Sequence, residues 1–210
     1  MTRVLSIDQR SFNPRIIEEA VRVLDAEGVI MYPTESSYAL GVNALKPGAI
    51  KKVFEIKARP GVKAIPVIVA NLRMWMRYAH LNRDAERLAK GLMPGPLTLV
   101  LRKKASIPDA LSRSTIAARI PGHPVALALV KKAGYPITST SANVSGQPPA
   151  YSVRAIPKSL STAIDLILDV GALTRRKYST IVDLTKSKPI VAREGAIATS
   201  VILRALGGEK

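Results

Sequence analysis

Nine consecutive residues, Thr138-Ser139-Thr140-Ser141-Ala142-Asn143-Val144-Ser145-Gly146, bring together five hydroxyls and one side-chain amide. They lie within a stretch, Ala133 to Val153, that holds no charged residue in a chain where 22% of residues are charged. Neutral donors and acceptors this dense suit a pocket for a polar small molecule. The same residue types also build ordinary turns, and composition alone leaves both readings open. The lead-in Tyr135-Pro136-Ile137 reads as a strand start. It hangs the hydroxyls from the carboxyl end of a strand, where α/β sheets bind ligands.

Basic residues stand beside turns and hydroxyls elsewhere. Lys57-Ala58-Arg59-Pro60 follows a helical stretch, Arg119 ends a strand, Ser179-Thr180 opens another, and Arg193-Glu194-Gly195 closes the last. Taken singly, such residues are ordinary solvated cations. If the strand ends converge, Lys57, Arg59, Arg119 and Arg193 surround one cavity with hydroxyl and backbone donors, a lining suited to a triphosphate and a carboxylate. Several other machines are excluded, because there is no Walker loop, dinucleotide fingerprint, Gly-x-Ser-x-Gly elbow or His-Glu-x-x-His. Only His80 and His123 could serve a histidine relay or zinc site, and both read as structural residues at element ends.

The elements that must position these residues follow from punctuation and periodicity. Asn13-Pro14 with Ile17, Ala20, Val21 and Leu24 predicts a capped helix stopped at Gly28. Val29 to Tyr32 reads as a buried strand, Ala49 to Ile56 as a helix and Val67 to Val69 as a strand. Asn71 and Asn82 read as N-caps of two helices. Strands follow at Leu97 to Leu101 and Thr115 to Ile120, and Pro124 opens a helix closed by Gly134. The last third holds strands at Ile164 to Leu168, Thr180 to Leu184 and Ile190 to Ala192, then a helix from Thr199 to Leu206. The expected fold is one α/β domain over 1–210, with a twisted mixed parallel and antiparallel sheet flanked by helices.

The 210 residues, 47% hydrophobic, are enough for a sizeable core. No cysteine is present, which excludes disulfides and thiolate metal sites and points to a reducing, cytoplasmic setting. No apolar run is long enough to span a bilayer, so no membrane partner is expected. The net charge of +17 favours an anionic partner such as nucleotide or RNA, or a generally basic surface without a dedicated role. Aromatic content of 4% argues against single-strand binding on stacking platforms.

The motifs also carry a resemblance. Tyr32-Pro33-Thr34-Glu35-Ser36-Ser37-Tyr38-Ala39-Leu40-Gly41, Lys57-Ala58-Arg59-Pro60, Pro94-Gly95-Pro96-Leu97-Thr98, Ala118-Arg119-Ile120-Pro121, Thr140 to Gly146, Ser179 to Leu184 and Arg193-Glu194-Gly195-Ala196-Ile197 resemble, in that order, the Sua5/YciO/YrdC family over about residues 15–205. The resemblance implies a YrdC-like domain with a basic concave cleft, without the further C-terminal domain of longer Sua5 members. It implies a nucleotidyltransferase, an L-threonylcarbamoyl-AMP synthase, that uses L-threonine, bicarbonate or CO2, and ATP for the t6A37 modification of transfer RNA. Magnesium is expected on the ATP phosphates, with no metal ligand assigned to the protein.

By motif, Thr34, Arg119, Ser139 and Ser179 are expected at threonine, with Arg119 gripping its carboxylate. Lys57, Arg59, Thr115, Ser141, Asn143 and Arg193 are expected at ATP, Lys57 and Arg59 being the catalytic cations at the phosphates. Transfer RNA or another folded RNA, and a downstream complex that transfers the threonylcarbamoyl group, are the implied partners. An RNA-binding module without synthase activity is the rival reading. A carbamoyl-transfer domain of the hydrogenase-maturation kind would need cysteine-rich segments that this chain lacks.

Three positions depart from the family pattern. Ala39 replaces a glycine, Ile65 stands before Pro66 where Asn or His is usual, and Arg176-Lys177-Tyr178-Ser179-Thr180 replaces Gly-x-Glu-Ser-Thr.

Overall fold

The computed structural model describes residues 2–58 and 64–207. In chain order the elements are β1 (Arg3–Ser6), α1 (Pro14–Asp25), β2 (Ile30–Pro33), β3 (Tyr38–Gly41), α2 (Pro47–Ile56), β4 (Val67–Ile68), α3 (Leu72–Met76), α4 (Arg83–Leu92), β5 (Leu97–Arg102) and β6 (Thr115–Arg119). They continue with α5 (Pro124–Ala133), β7 (Ile137–Thr138), β8 (Thr140–Ser141), α6 (Lys158–Ser161), β9 (Leu166–Asp169), β10 (Thr180–Asp183), β11 (Ile190–Arg193) and α7 (Thr199–Ala205).

The mixed α/β class read from the sequence holds, and the strands divide into two sheets. One has the order β1-β9-β2-β3-β8 and the other β11-β10-β5-β6-β4-β7. Both are mixed: β9 runs parallel to β1 and β2, and β5 runs parallel to β10 but antiparallel to β6.

Helix ends follow their caps. The Asn71 and Asn82 side chains accept from the amides of Met74 and Ala85, so each satisfies an N–H that the first turn leaves without a partner. Gly134 ends α5 at φ 76°, a left-handed position that costs glycine little. Helix α1 stops earlier than Gly28 predicts: the left-handed turn falls on Glu27, at φ 59°.

The second sheet divides its two faces by the period of two. Leu97, Leu99 and Leu101 of β5, with Ile116 and Ala118 of β6, are buried in the apolar core. Burial of each large apolar side chain contributes about 1.5–3 kcal/mol. The alternate residues Thr98, Val100, Ala117, Arg119 and Ile181 turn to the other face and line a cavity. Register, not residue type alone, therefore brings Arg119 to that cavity while its neighbour Ala118 packs the core.

Candidate functional site

The cavity, about 370 Å³, lies between the two sheets. Its floor is the face of the second sheet that carries Thr98, Val100, Ala117, Arg119 and Ile181, and the turn residues Thr34, Ser36 and Ser37 with Ala39 of β3 form a wall. The hydroxyl run joins the two. β7 pairs with β4 in one sheet and β8 pairs with β3 in the other, so the chain crosses from sheet to sheet at Ser139. The Ser139 amide anchors the crossing by donating to the Pro66 carbonyl at 2.7 Å.

The run divides between the fold and the cavity. The Thr138 hydroxyl is used up in the fold, accepting from the Val42 amide at 3.0 Å and donating to the Leu40 carbonyl at 3.2 Å. Ser139, Thr140 and Ser141 line the cavity.

Two guanidiniums reach this space. Arg119 is almost buried; its Nη2 donates to Ser139 Oγ at 3.2 Å and its Nη1 lies 3.5 Å from Glu35 Oε1. Arg193 stands on the exposed edge strand β11, and its Nε and Nη2 donate to the Ser179 carbonyl at 3.1 and 2.8 Å. Ser179 Oγ accepts from Arg193 Nη2 at 3.2 Å and from Thr98 Oγ1 at 2.9 Å. Loss of water lowers the Arg193 pKa, Tyr178 opposes that shift, and repulsion from Arg119 adds to it. The Thr34 hydroxyl donates to the Ser37 carbonyl at 2.6 Å and so holds the turn that follows β2.

Lys57 sits differently from the phosphate-facing cation expected. Its side chain is buried, and Nζ donates to the Ser141 carbonyl at 2.6 Å and to both the carbonyl and Oδ1 of Asn143 at 2.8 Å. An ammonium has three donors, and a loop rich in inward carbonyls captures them before solvent can. Its own carbonyl accepts from the Ser145 amide at 3.0 Å, which ties the end of α2 to the same loop. Ser141 Oγ donates to Asn143 Oδ1 at 2.6 Å, and Asn143 Nδ2 donates to the Gln147 carbonyl.

Thr34, Arg119, Ser139, Ser141, Ser179 and Arg193 thus meet at one cavity, so of the four cations expected to surround it Arg119 and Arg193 line it. Lys57 and Asn143 stand behind its Ser141 wall. Thr115 shares a strand face with Ala117 and Arg119 but lies outside the lining, with its hydroxyl 3.5 Å from Ser112 Oγ. Arg59 lies outside the described residues.

Glu35 and Tyr178 carry no assignment from the sequence; Tyr178 lines the cavity and Glu35 stands beside Arg119. Glu35 pairs with Arg119 and also lines a second cavity of about 240 Å³ with Gln9, His123 and Arg176. Among the described residues neither Glu35 carboxylate oxygen has a hydrogen-bond partner. An acid between Thr34 and Ser36, at the carboxyl end of a buried strand, was the available signal. His123 Nε2 lies 3.2 Å from Gln9 Oε1, and burial lowers its pKa against the opposing pull of Glu35. Ile65 is buried, so it brings no polar group where the family pattern has Asn or His. Among the described residues no three His, Cys, Asp or Glu side chains group to hold a metal, and no helix is long and apolar enough to cross a membrane.

Residues 22–195 match the Sua5/yciO/yrdC family model, whose description is "Telomere recombination". The chain is 33% identical over 210 residues to a protein of Pyrococcus abyssi named threonylcarbamoyl-AMP synthase, covering 99% of this chain and 62% of that protein. It superposes on the crystal structure of P. abyssi Sua5 complexed with L-threonine with a TM-score of 0.91, at 31% identity, covering 99% of this chain and 61% of the other. It superposes on Escherichia coli YciO with a TM-score of 0.84, at 30% identity and 98% coverage of both chains. The chain therefore spans about three fifths of the P. abyssi relative.

Proposed function

From the premise that this chain belongs to the Sua5/YciO/YrdC family, we propose that its cavity forms L-threonylcarbamoyl-AMP from L-threonine, bicarbonate or CO2, and ATP, releasing diphosphate. The observation that carries this reading is the pair of guanidiniums, Arg119 and Arg193, held in one hydroxyl-lined cavity between the sheets. One suits a carboxylate and the other a phosphate.

The chemistry needs no protein nucleophile. The threonine amine attacks the CO2 carbon, forming the N–C bond and releasing a proton, or a water when bicarbonate is the source. A carbamate oxygen then attacks the α-phosphorus, and the bond to the β-phosphate oxygen breaks to release diphosphate. The protein contributes positioning and charge stabilisation. Arg119 takes the threonine carboxylate, with Thr34, Ser139 and Ser179 around the amino acid. Arg193 takes the phosphates beside Ser141, and Lys57 with Asn143 fixes the loop that presents Ser141. Arg59 and Thr115 keep their assignment to ATP by motif.

Magnesium would come with the triphosphate and would offset charge on its phosphates; among the described residues no three His, Cys, Asp or Glu side chains group to hold it, so the cavity would offer it hydroxyls alone. The product supplies the t6A37 modification of transfer RNA, handed in the cytoplasm to the complex that transfers it.

The test is diphosphate release by the pure protein with ATP, magnesium, bicarbonate and threonine. Release above a control without threonine is expected. Serine should be the poorer substrate by about 1–3 kcal/mol, the worth of one methyl contact. Release no greater than the control would refute the reading and leave RNA binding without synthesis as the better account of the +17 charge.

A further inference from the structure

Among the described residues five large hydrophobics are exposed, and of these only Tyr178 lines the cavity, with 44% of its surface exposed. The backbone beneath the ring is fixed. The Tyr178 carbonyl accepts from the Ala196 amide at 2.8 Å, and a Cβ at Gly195 would lie 2.2 Å from that same oxygen, so the 193–196 turn packs directly against it. The Arg193 guanidinium lies over the ring, 5.3 Å from its centroid, and is itself clamped to the Ser179 carbonyl. The guanidinium stands over one face, and much of the residue's surface stays open to solvent.

A flat, rigidly mounted aromatic left in water at the rim of a polar cavity is built to receive another flat group. A cation on the far face strengthens the platform electrostatically. The ring also stands next to Ser179 and Arg193, so a ligand stacked on it keeps its anionic part beside the Arg193 guanidinium.

We propose that Tyr178 is the stacking platform for the planar base of a nucleotide whose phosphates lie at Arg193. This rests on the reading that the cavity takes ATP. It gives a role to the position where the sequence departs from Gly-x-Glu-Ser-Thr, since a glutamate there would supply charge but no face. Stacking reads a base by its π surface, so the platform contributes affinity rather than recognition of the base edge.

The experiment is calorimetric titration of ATP and of inorganic tripolyphosphate into the wild type, Tyr178→Ala and Tyr178→Phe, with magnesium present. Tyr178→Ala should weaken ATP by about tenfold to a hundredfold and leave tripolyphosphate within about twofold, because Arg193 stays on Ser179. Tyr178→Phe should restore ATP binding. The side chain is exposed, so an unchanged melting temperature checks that the variants are folded. Equal weakening of both ligands by Tyr178→Ala would show that the ring only holds Arg193, and unchanged ATP affinity would remove the platform altogether. A wild type that binds tripolyphosphate but gains nothing from the base overturns the platform alone. A wild type that binds neither ligand overturns the nucleotide reading and the platform with it.

Discussion

Lys57→Met removes the ammonium, keeps an unbranched apolar stem, and separates two roles for this residue. If Lys57 holds the loop, stability and ligand binding fall together; if it serves only phosphates, binding falls alone. Three hydrogen bonds at 2.6–2.8 Å to a charged donor set a high ceiling, at about 1.5–3 kcal/mol each. Much of that is offset, because burying an ammonium costs several kcal/mol. Two of the acceptors also keep other donors: the Ser141 carbonyl retains the Asn143 amide at 2.9 Å, and Asn143 Oδ1 retains the Ser141 hydroxyl at 2.6 Å. The Asn143 carbonyl loses its buried donor, at about 1–3 kcal/mol. The expected loss is about 2 kcal/mol, or roughly 4–8 °C in Tm for a chain of this size. Thermal unfolding without ligand gives the first readout. Amide hydrogen exchange should speed up across residues 141–147, and ATP titration should show weaker binding. An unchanged Tm and unchanged exchange with ATP binding lost would refute the reasoning and return Lys57 to direct contact with phosphate.

Arg119→Lys keeps the charge but loses the planar fork that reaches Ser139 at 3.2 Å and faces Glu35 at 3.5 Å. Threonine affinity should fall about tenfold or more while ATP affinity changes less than about threefold, the loss of one bond to a charged group being worth about 1.5–3 kcal/mol; equal losses in titrations of the two ligands would move Arg119 to the nucleotide. His123 has its pKa lowered by burial, so the unfolded chain binds the extra proton first. Its contribution to stability should be fully present above the unfolded value of about 6.5 and decline as pH falls towards the folded pKa. Glu35→Gln removes the opposing charge, so an NMR titration of His123 should show a still lower midpoint, and a rise would contradict the pairing. Gly195→Ala should destabilise the protein and weaken ATP, since the new Cβ would stand 2.2 Å from the Tyr178 carbonyl and 2.7 Å from the Ser179 carbonyl carbon; a variant with wild-type Tm and ATP affinity would show that the turn can shift freely.

Helices and the longer strands were legible because their signals are local. Asn71, Asn82, Pro124 and Gly134 each mark an element end with the residue its backbone needs. The two-residue strands β7 and β8 carry no periodicity to read, and only pairing with β4 and β3 defines them. The crossing at Ser139 was therefore seen as a hydroxyl loop at a strand end but not as the bridge between two sheets. Thr34, Arg119, Ser139, Ser141, Ser179 and Arg193 each stand in a motif at a strand end or turn, and the sheet register is what brings them to one cavity. The direction of Lys57 was not legible, because lysine in a helix-ending turn is solvated by default and only the carbonyls of a segment more than 80 residues away reverse that.

The same default hid much of the surface charge. Lys103 sits on Asp109 at 2.5 Å and the Ile107 carbonyl at 2.6 Å, Lys104 on the Met76 carbonyl at 2.6 Å, and Lys132 on Glu18 at 2.7 Å. These three lysines are partly committed to the fold, so neutralising them perturbs stability as well as any RNA contact.

The charge around the cavity has a matching division of labour. Glu35 stands behind Arg119 and reduces its pull on polyanions, which suits a guanidinium meant for a single carboxylate. Lys57 spends its charge on loop carbonyls. Among the described residues that leaves Arg193, with no carboxylate beside it and its donors gathered at Ser179, as the cavity cation suited to a phosphate. Its pKa is lowered by lost hydration and by Arg119, the expected state of a cation whose counter-ion arrives with the ligand. A phosphate at Arg193 would relieve both effects at once, whereas a second carboxylate built beside it would cancel the attraction before substrate arrived. Among the described residues Glu35 pairs with Arg119 and not with Arg193, an asymmetry that supports the proposed placement of an amino acid at one end of the cavity and a nucleotide at the other.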